Sequence, residues 1–215
     1  MNRRMRLAMP SKGRLHGPSL DLLRRAGIEL LSEGRSYLSE TSDPSLEVIL
    51  VRAKDVPLYL HYGAADLGIT GYDLIVERGA DLYELLSLPY GECKLVVAAP
   101  EDSDIRSIED VEPGSVVATS HPRIASKFFE GMNKDVEVLE LEGSVELAPR
   151  LGLADLIVDI SSSGETLRRN GLRVICTILE STAKLACNKV SYRAFEDRVE
   201  GLVRRIEGAL GEWAP

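Results

Sequence analysis

The chain has 215 residues, of which 44% are hydrophobic and 28% charged, a composition typical of a globular protein with one large or two small cores. Its formal net charge of −8 argues against a nucleic-acid-binding protein that relies on a basic surface, and its apolar runs are too short to span a membrane. The basic start, Met1–Arg6, is not followed by the apolar core of a signal peptide, so we expect a cytoplasmic protein.

Short apolar strands alternate with amphipathic helices in the first part of the chain, which predicts an α/β fold with a largely parallel sheet. Strands are predicted at Arg6–Met9, Leu46–Val51, Asp66–Thr70 and Tyr83–Leu88. Helices are predicted at Leu15–Ala26, at Val56–Tyr62 and from Gly71 to Gly79.

A second α/β unit is predicted from about Cys93 onward. Its strands are predicted at Lys94–Ala99, Ser115–Thr119, Val136–Leu139 and Leu156–Ile160, and its helices at Ser107–Val111, Ile124–Met132 and Val145–Leu151. Two extended segments, Arg173–Leu179 and Lys184–Val190, precede a long helix from about Ala194 to Leu210.

The chain is predicted to cross between two lobes at two places, here called crossings. They lie at Pro89–Gly91 and near Gly171–Cys176, so lobe I would contain residues 1–90 plus 176–215 and lobe II residues 91–175. Two α/β lobes joined in this way form a cleft, with sites at the carboxyl ends of their strands.

Cysteine and histidine residues give no pattern of a metal or catalytic site. The three cysteines form no CxxC pair and are predicted to be buried thiols, while the three histidines are isolated and are expected at the surface or at helix caps. These residues are Cys93, Cys176, Cys187, His16, His61 and His121.

The segment Ala154–Leu167 contains the strongest motif. A predicted strand ends at Asp159, and a hydroxyl-rich turn follows it, made of Ser161, Ser162, Ser163, Gly164, Glu165 and Thr166. Free backbone N–H groups and hydroxyls at the start of a helix suit a phosphate group, Gly164 permits close backbone approach, and Asp159 is placed to hold ribose hydroxyls. The motif is neither a P-loop nor GxGxxG, and serines that only cap a helix are the alternative.

Cations follow two predicted strands of lobe I. Lys12 lies just after the first strand and Arg52 just after Leu46–Val51, while Arg24 lies on the first helix. These side chains opposite a phosphate turn would suit a ligand with anions at both ends, although ordinary exposed surface is the alternative for each. The Gly63–Asp73 segment is predicted to accept a flat base or to be a simple loop.

Five ordered motifs resemble those of the ATP phosphoribosyltransferases, the family that opens histidine biosynthesis. The resemblance extends nearly end to end. The motifs are Pro10–Arg14, Arg52–Pro57, Gly63–Asp73, Gly143–Pro149 and Asp159–Leu167, the last followed by Asn170-Gly171-Leu172.

The resemblance implies a fold of two α/β lobes like a type II periplasmic binding protein. It also implies transfer of the 5-phosphoribosyl group from 5-phosphoribosyl 1-diphosphate to N1 of ATP. The turn at Ser161–Thr166 would hold the 5-phosphate, Lys12, Arg24 and Arg52 would lie at the diphosphate, and Gly71, Tyr72 and Asp73 near the nucleotide. The family often has threonine where this chain has Ser163, which keeps the hydroxyl.

The resemblance also implies Mg²⁺ carried by the diphosphate rather than by a protein cage. Many relatives have an added C-terminal histidine-binding domain, and this sequence ends at Pro215 without one. We therefore expect the short form, a homo-oligomer that works with a regulatory subunit resembling histidyl-tRNA synthetase. A truncated long form is the alternative.

Two other functions are weighed against this interpretation. A solute-binding protein would share the fold, but it would have a signal peptide and no diphosphate site. A nucleobase phosphoribosyltransferase of the common type usually has paired acids before its phosphate loop, and Val158-Asp159-Ile160 supplies a single acid.

Overall fold

The computed structural model describes residues 3–31 and 37–211. The chain forms two compact units, Met1–Gly91 with Thr182–Pro215 (unit 1) and Glu92–Ser181 (unit 2). The chain therefore leaves unit 1 after Gly91 and returns at Thr182, while the predicted return near Gly171–Cys176 lies inside a strand of unit 2. The ends of predicted lobe I, residues 1–2 and 212–215, lie outside the described residues.

Strands and helices alternate through most of the chain. The strands are β1 (Met5–Pro10), β2 (Leu38–Glu40), β3 (Leu46–Val51), β4 (Leu67–Gly71), β5 (Leu82–Ser87), β6 (Cys93–Pro100), β7 (Ser115–Thr119), β8 (Val136–Glu140), β9 (Leu156–Ser161), β10 (Leu172–Ser181) and β11 (Ala183–Asn188). The α-helices are α1 (His16–Arg25), α2 (Val56–His61), α3 (Tyr72–Arg78), α4 (Pro122–Gly131), α5 (Glu165–Arg169), α6 (Lys189–Ala194) and α7 (Glu196–Gly211).

The sheet of unit 1 has the strand order β2-β3-β1-β4-β11-β5 in the described residues. Side chains on β1 alternate between its two faces, because successive residues of a strand point in opposite directions. Leu7 and Met9 pack in one apolar core with residues of α1 and α7, while Ala8 packs in another with residues of α2 and α3. Helices therefore cover both faces of this sheet.

Asp66, just before β4, is a buried charge that joins Arg3 and Arg6 to this sheet. Its side chain has no exposed surface, and its carboxylate accepts hydrogen bonds from Arg3 Nη2 (2.6 Å), Ser191 Oγ (2.6 Å) and the Arg6 N–H (2.9 Å). Burial by itself would raise the pKa of Asp66, but these hydrogen bonds outweigh it and hold the pKa below its usual value.

The sheet of unit 2 has the order β10-β6-β9-β7-β8. Its core includes Val96, Ala98, Ala118 and Ile157 from the strands, together with Leu167 of α5. Cys93 and Cys187 are buried thiols outside any disulfide, as predicted, the second in unit 1, whereas Cys176 on the edge strand β10 is partly exposed.

The prediction of a largely parallel sheet is wrong. Among the strands that the structure describes, β1 pairs in parallel with β3 and β4, and β7 with β8 and β9, but the other five pairings are antiparallel. The strands next to the two crossings, β5, β6, β10 and β11, cause most of this difference. The chain enters β6 directly from β5 and β11 directly from β10, without the helical crossover that makes neighbouring strands parallel. Each of these two strands lies between two strands of opposite direction.

Three element predictions also need correction. Val145–Leu151 forms two short 3₁₀ turns rather than a helix, since Pro149 supplies no backbone N–H. β11 ends at Asn188, whose side chain accepts the N–H groups of Val190 and Ser191 (both 2.9 Å) and starts α6, so the predicted extended segment is two residues too long. The predicted final helix is α7 alone, and the short edge strand β2 was missed.

Candidate active site

Lys12 and Arg52 lie at neighbouring strand exits in unit 1. β1 and β3 run in parallel with Pro10 opposite Val51, and the N–H of Ser11 donates to the carbonyl of Val51 at 2.7 Å. This bond holds the two exits side by side. Both cationic side chains are exposed, and neither forms an ion pair within the described residues. The edge therefore presents two available positive charges to an anion.

Arg24 lies elsewhere on unit 1. It is in the last turn of α1, roughly 12 Å along the helix axis from His16 at 1.5 Å per residue. Its guanidinium pairs with Asp21 at 3.0 Å, and both side chains are mostly exposed. Arg205 joins the residue after α1 to the loop before β3, because it donates to the carbonyl of Ala26 and pairs with Asp43. The structure does not place Arg24 at the strand exits with Lys12 and Arg52.

Gly71, Tyr72 and Asp73 form the turn from β4 into α3. Asp73 is 2% exposed, and a Cβ added to Gly71 would lie 2.3 Å from the Asp73 Oδ1 atom. The carboxylate therefore folds back over Gly71, so a side chain at this position would force the Asp73 carboxylate to move. Asp73 does not present its charge to solvent. Tyr72 is half-buried, and its N–H donates to the Thr182 carbonyl at 3.0 Å. The preceding Thr70 hydroxyl is buried without a hydrogen-bond partner among the described residues.

The hydroxyl-rich turn follows β9 in unit 2. Ser161 and Gly164 are half-buried, while Ser162, Ser163 and Thr166 are exposed and can reach a ligand. Gly164 has φ +72°, and a Cβ added there would meet nothing nearer than Ser161 Oγ at 3.9 Å. The glycine is therefore required by its left-handed backbone rather than by crowding. Leu167, 2% exposed, anchors α5 behind the turn.

Glu165 takes part in this turn through its backbone. Its carboxylate pairs with Arg169 one helical turn later at 2.5 Å, and its N–H lies 3.4 Å from Ser163 Oγ. A carboxylate would repel a phosphate, so the N–H is the group that Glu165 can offer to an anion.

Asp159 lies two residues before the turn on β9. Its Oδ1 accepts the Ile160 N–H at 2.8 Å. Burial chiefly raises the pKa of Asp159, the nearby Glu146 raises it further, and His121 partly offsets the increase. A partly buried carboxylate with a free lone pair suits two neighbouring sugar hydroxyls.

His121 and Glu146, which the sequence did not predict for the site, lie near enough to Asp159 to shift its pKa. β7 pairs with β9 in parallel, Thr119 opposite Val158, so the residues after each strand are neighbours. His121 is buried, 2% exposed, and it occupies the N-cap position of α4, one of the two predicted locations for the histidines. Its Nδ1 lies 3.1 Å from Ser120 Oγ. Its position at the exit of a buried strand was the available signal in the sequence. Glu146 belongs to the Gly143–Pro149 motif, to which no role had been assigned.

A family model for ATP phosphoribosyltransferase matches residues 52–208. The ATP phosphoribosyltransferase of Methanothermobacter thermautotrophicus is 50% identical over 96% of this chain and 72% of its own length. That of Halothermothrix orenii is 45% identical over 93% of this chain and 91% of its own length. This chain belongs to the ATP phosphoribosyltransferase family.

Solved structures agree with this membership. The ATP phosphoribosyltransferase of a HisG:HisZ complex from Thermotoga maritima superposes with a TM-score of 0.87 at 32% identity, covering 97% of this chain and all of that one. Holo ArgBP from T. maritima superposes with a TM-score of 0.58 at 19% identity, over 97% of this chain and 89% of that one, a likeness of fold alone. The prediction of two α/β units like those of type II periplasmic binding proteins is confirmed.

The ATP phosphoribosyltransferase residues predicted for the site divide between the units. Lys12, Arg24, Arg52 and Gly71–Asp73 belong to unit 1, and Asp159 and Ser161–Thr166 to unit 2. In the described ranges, no helix is long and apolar enough to cross a membrane. No group of three or more His, Cys, Asp or Glu side chains that could hold a metal ion occurs there either.

Proposed function

We propose that this chain transfers the 5-phosphoribosyl group of 5-phosphoribosyl 1-diphosphate to N1 of ATP. The products are 1-(5-phosphoribosyl)-ATP and pyrophosphate, and the reaction is the first step of histidine biosynthesis. Membership of the ATP phosphoribosyltransferase family, at 50% identity over 96% of the chain, is the observation that carries this proposal. We place the reaction in the cytoplasm, because both substrates are highly charged metabolites that do not cross membranes unaided.

The acceptor N1 has a lone pair in neutral adenine, so no strong base is needed to create the nucleophile. The C1–O bond to the diphosphate breaks with its electron pair leaving on oxygen, and the N1–C1 bond forms. Positive charge builds on the ribose and negative charge on the leaving group. Catalysis therefore consists mainly of positioning the two substrates and neutralising the diphosphate.

Lys12 and Arg52 are assigned to the diphosphate. Their backbones are neighbours at the exits of β1 and β3, and both cations are exposed and available. Arg24 keeps its predicted role by resemblance only, because its guanidinium pairs with Asp21 in the last turn of α1. We rank its contribution below that of Arg52.

The turn Ser161–Thr166 is assigned to the 5-phosphate. Three of its hydroxyls are exposed, and the positive φ of Gly164 turns the chain so that the following N–H groups begin α5. Glu165 contributes its N–H alone. Asp159, at the end of β9, is assigned to the ribose hydroxyls.

Gly71, Tyr72 and Asp73 are assigned to the nucleotide. The half-buried ring of Tyr72 offers a surface for stacking a base. Gly71 and Asp73 hold the turn in shape, since the carboxylate lies against the glycine. With these assignments, unit 1 would hold the diphosphate and the nucleotide, and unit 2 would hold the 5-phosphate. The same division was predicted from the sequence for lobe I and lobe II.

Magnesium enters as part of the substrate. A diphosphate binds Mg²⁺ through its own oxygens and needs few protein ligands. The metal supplies charge neutralisation at the leaving group, and the described residues include no cluster of three or more potential ligands that would compete for it.

We also propose a homo-oligomer that associates with a regulatory subunit resembling histidyl-tRNA synthetase. The Thermotoga maritima structure, a HisG:HisZ complex, supports a partner of this kind, and this chain covers all of the matched chain. Association would appear as a larger mass when this chain is mixed with such a subunit.

Pyrophosphate release by the purified chain tests the proposal. We expect release only when ATP, 5-phosphoribosyl 1-diphosphate and Mg²⁺ are all present, with one phosphoribosylated ATP formed per pyrophosphate. Omitting ATP controls for hydrolysis of the sugar diphosphate. Absence of release from the chain, both alone and with a regulatory subunit, would refute the proposed transfer.

A further inference from the structure

Lys184 is a charged residue in a buried strand. Its neighbours Ala183, Leu185, Ala186 and Cys187 in β11 have no exposed surface, while the Lys184 side chain keeps 18% of its own. Lysine is rarely placed in such a strand, because removing an ammonium group from water costs free energy unless partners replace the water.

The Lys184 ammonium has three partners. Its Nζ lies 2.9 Å from Ser87 Oγ and 3.3 Å from a Glu84 carboxylate oxygen, both on β5. It also lies 5.3 Å from the centroid of the Tyr72 ring, within the range of a cation–π contact. The charge therefore links β5 to the first residue of α3.

This contact lies at the exit of β4. β11 pairs with β4 in antiparallel fashion, with Ala183 opposite Gly71 and Lys184 opposite Thr70. The carbonyl of Thr182 accepts the Tyr72 N–H at 3.0 Å. Residues 182–184 therefore hold Tyr72 twice, once by its main chain and once by its ring.

We propose that Lys184 is a positioning residue for the acceptor nucleotide, because its ammonium fixes the Tyr72 ring against which the base stacks. The inference rests on the proposed nucleotide-binding role of Gly71, Tyr72 and Asp73. A base stacks well only on a ring held in one orientation, so loss of the cation weakens binding of ATP. Binding of the sugar diphosphate, which Lys12 and Arg52 hold, is unaffected.

Lys189 provides a matched control on the same unit. Its Nζ also lies 5.3 Å from a tyrosine ring, that of Tyr83, and it pairs with the carboxylate of Asp81. It follows the other end of β11, away from the exit of β4. The two lysines share their chemistry and differ in their place on the sheet.

The test measures kcat and the KM of each substrate by pyrophosphate release. We expect Lys184→Met, which keeps the apolar stem, to raise the KM of ATP between about threefold and thirtyfold, the range of a cation–π contact. The KM of the sugar diphosphate and kcat should stay within about twofold of wild type. Lys184→Gln should behave like Lys184→Met, Lys184→Arg should restore most of the ATP affinity, and Lys189→Met should change neither KM.

A double variant tests whether Lys184 acts through the ring. Tyr72→Ala should raise the KM of ATP, and adding Lys184→Met to it should cause no further increase, because the ring is already gone. Additive effects would overturn the inference. So would an equal rise in both KM values, or an unchanged KM of ATP in both the Met and the Gln variants.

The same set of variants separates this inference from the proposed function. If wild type releases pyrophosphate and Tyr72→Ala weakens ATP while Lys184→Met does not, Lys184 alone is misassigned. If Tyr72→Ala leaves the KM of ATP unchanged, the nucleotide placement fails and Lys184 with it. If wild type releases no pyrophosphate, the proposed transfer itself is refuted.

Discussion

Replacing Gly164 by valine tests the phosphate turn in unit 2. Gly164 has φ +72° and ψ −1°, a left-handed conformation that costs an L-residue roughly 1–2 kcal/mol and a β-branched residue more. The space around it is open, since an added Cβ would meet only Ser161 Oγ at 3.9 Å. The penalty therefore lies in the backbone, and the turn can relieve it only by changing shape.

The effect on ligand binding should exceed the effect on folding. For a chain of this size, each kcal/mol lost lowers the melting temperature by about 2–4 °C, so the variant stays folded. A reshaped turn, however, moves the N–H groups of Glu165 and Thr166 away from the phosphate. Each hydrogen bond to a charged group is worth about 1.5–3 kcal/mol, so losing two weakens binding by at least about a hundredfold.

Titration calorimetry with 5-phosphoribosyl 1-diphosphate and Mg²⁺ measures this effect. We expect no measurable binding to Gly164→Val, and much smaller weakening for Gly164→Asn, because asparagine tolerates a left-handed backbone. Unchanged affinity in the valine variant would remove the turn from the phosphate site. Equal loss in both variants would show that the left-handed backbone is not the cause.

Three further predictions concern charged residues. Arg52→Ala should lower kcat roughly 30- to 800-fold, which corresponds to the 2–4 kcal/mol expected for a lost contact to the leaving group. Arg24→Ala should lower kcat less, and equal losses of kcat in steady-state assays would contradict this ranking. Asp66→Asn should lower the free energy of unfolding at pH 7 by about 2 kcal/mol, since it breaks the bond to Arg3. The folded pKa of Asp66 lies below the unfolded value near 3.9, so its stabilisation is present above that value and is lost as pH falls through the folded pKa. The free energy of unfolding in urea should therefore fall less at acid pH in the variant than in wild type. An equal fall in both proteins would refute the role of the Asp66 charge. Asp159→Asn should raise the melting temperature at pH 7 yet weaken sugar-diphosphate binding in calorimetry. The folded pKa of Asp159 is raised, so the ionised carboxylate destabilises the folded protein above that pKa. The stabilisation gained by Asp159→Asn should therefore shrink as the pH falls toward the pKa of the unfolded state. A lower melting temperature of the variant at pH 7 would refute this reasoning.

The regular elements were largely predictable because their signals are local. β3 and β7 have the predicted bounds, Leu46–Val51 and Ser115–Thr119, since each is a compact apolar run between turn residues. Lys12 and Arg52 were placed correctly at strand exits by their positions directly after such runs. The prediction of a helix at Val145–Leu151 was wrong, because Pro149 lacks the N–H that a continuous helix needs despite the helical spacing of the apolar residues.

The surroundings of Arg24, His121 and Lys184 depend on contacts between elements that are distant in the chain. Spacing along α1 allowed Arg24 to face the strand exits, but the helix carries it to the other end. His121 looked isolated in sequence, yet the pairing of β7 with β9 brings it near Asp159. Lys184 is a lysine among apolar residues in the sequence, but the pairing of β11 with β4 and β5 decides that its ammonium meets the Tyr72 ring.

The amino-acid sequence by itself determined the α/β class, most element positions, the hydroxyl-rich turn after β9 and the motifs that indicate the family. These properties depend on neighbouring residues, whose periodicity and backbone preferences act locally. Only the tertiary structure decided which strands run antiparallel, and which charges meet across the sheets, such as Lys184 with Tyr72 and Arg3 with Asp66. Those contacts join residues far apart in the chain, and their partners are chosen by strand register, which depends on packing of the whole unit.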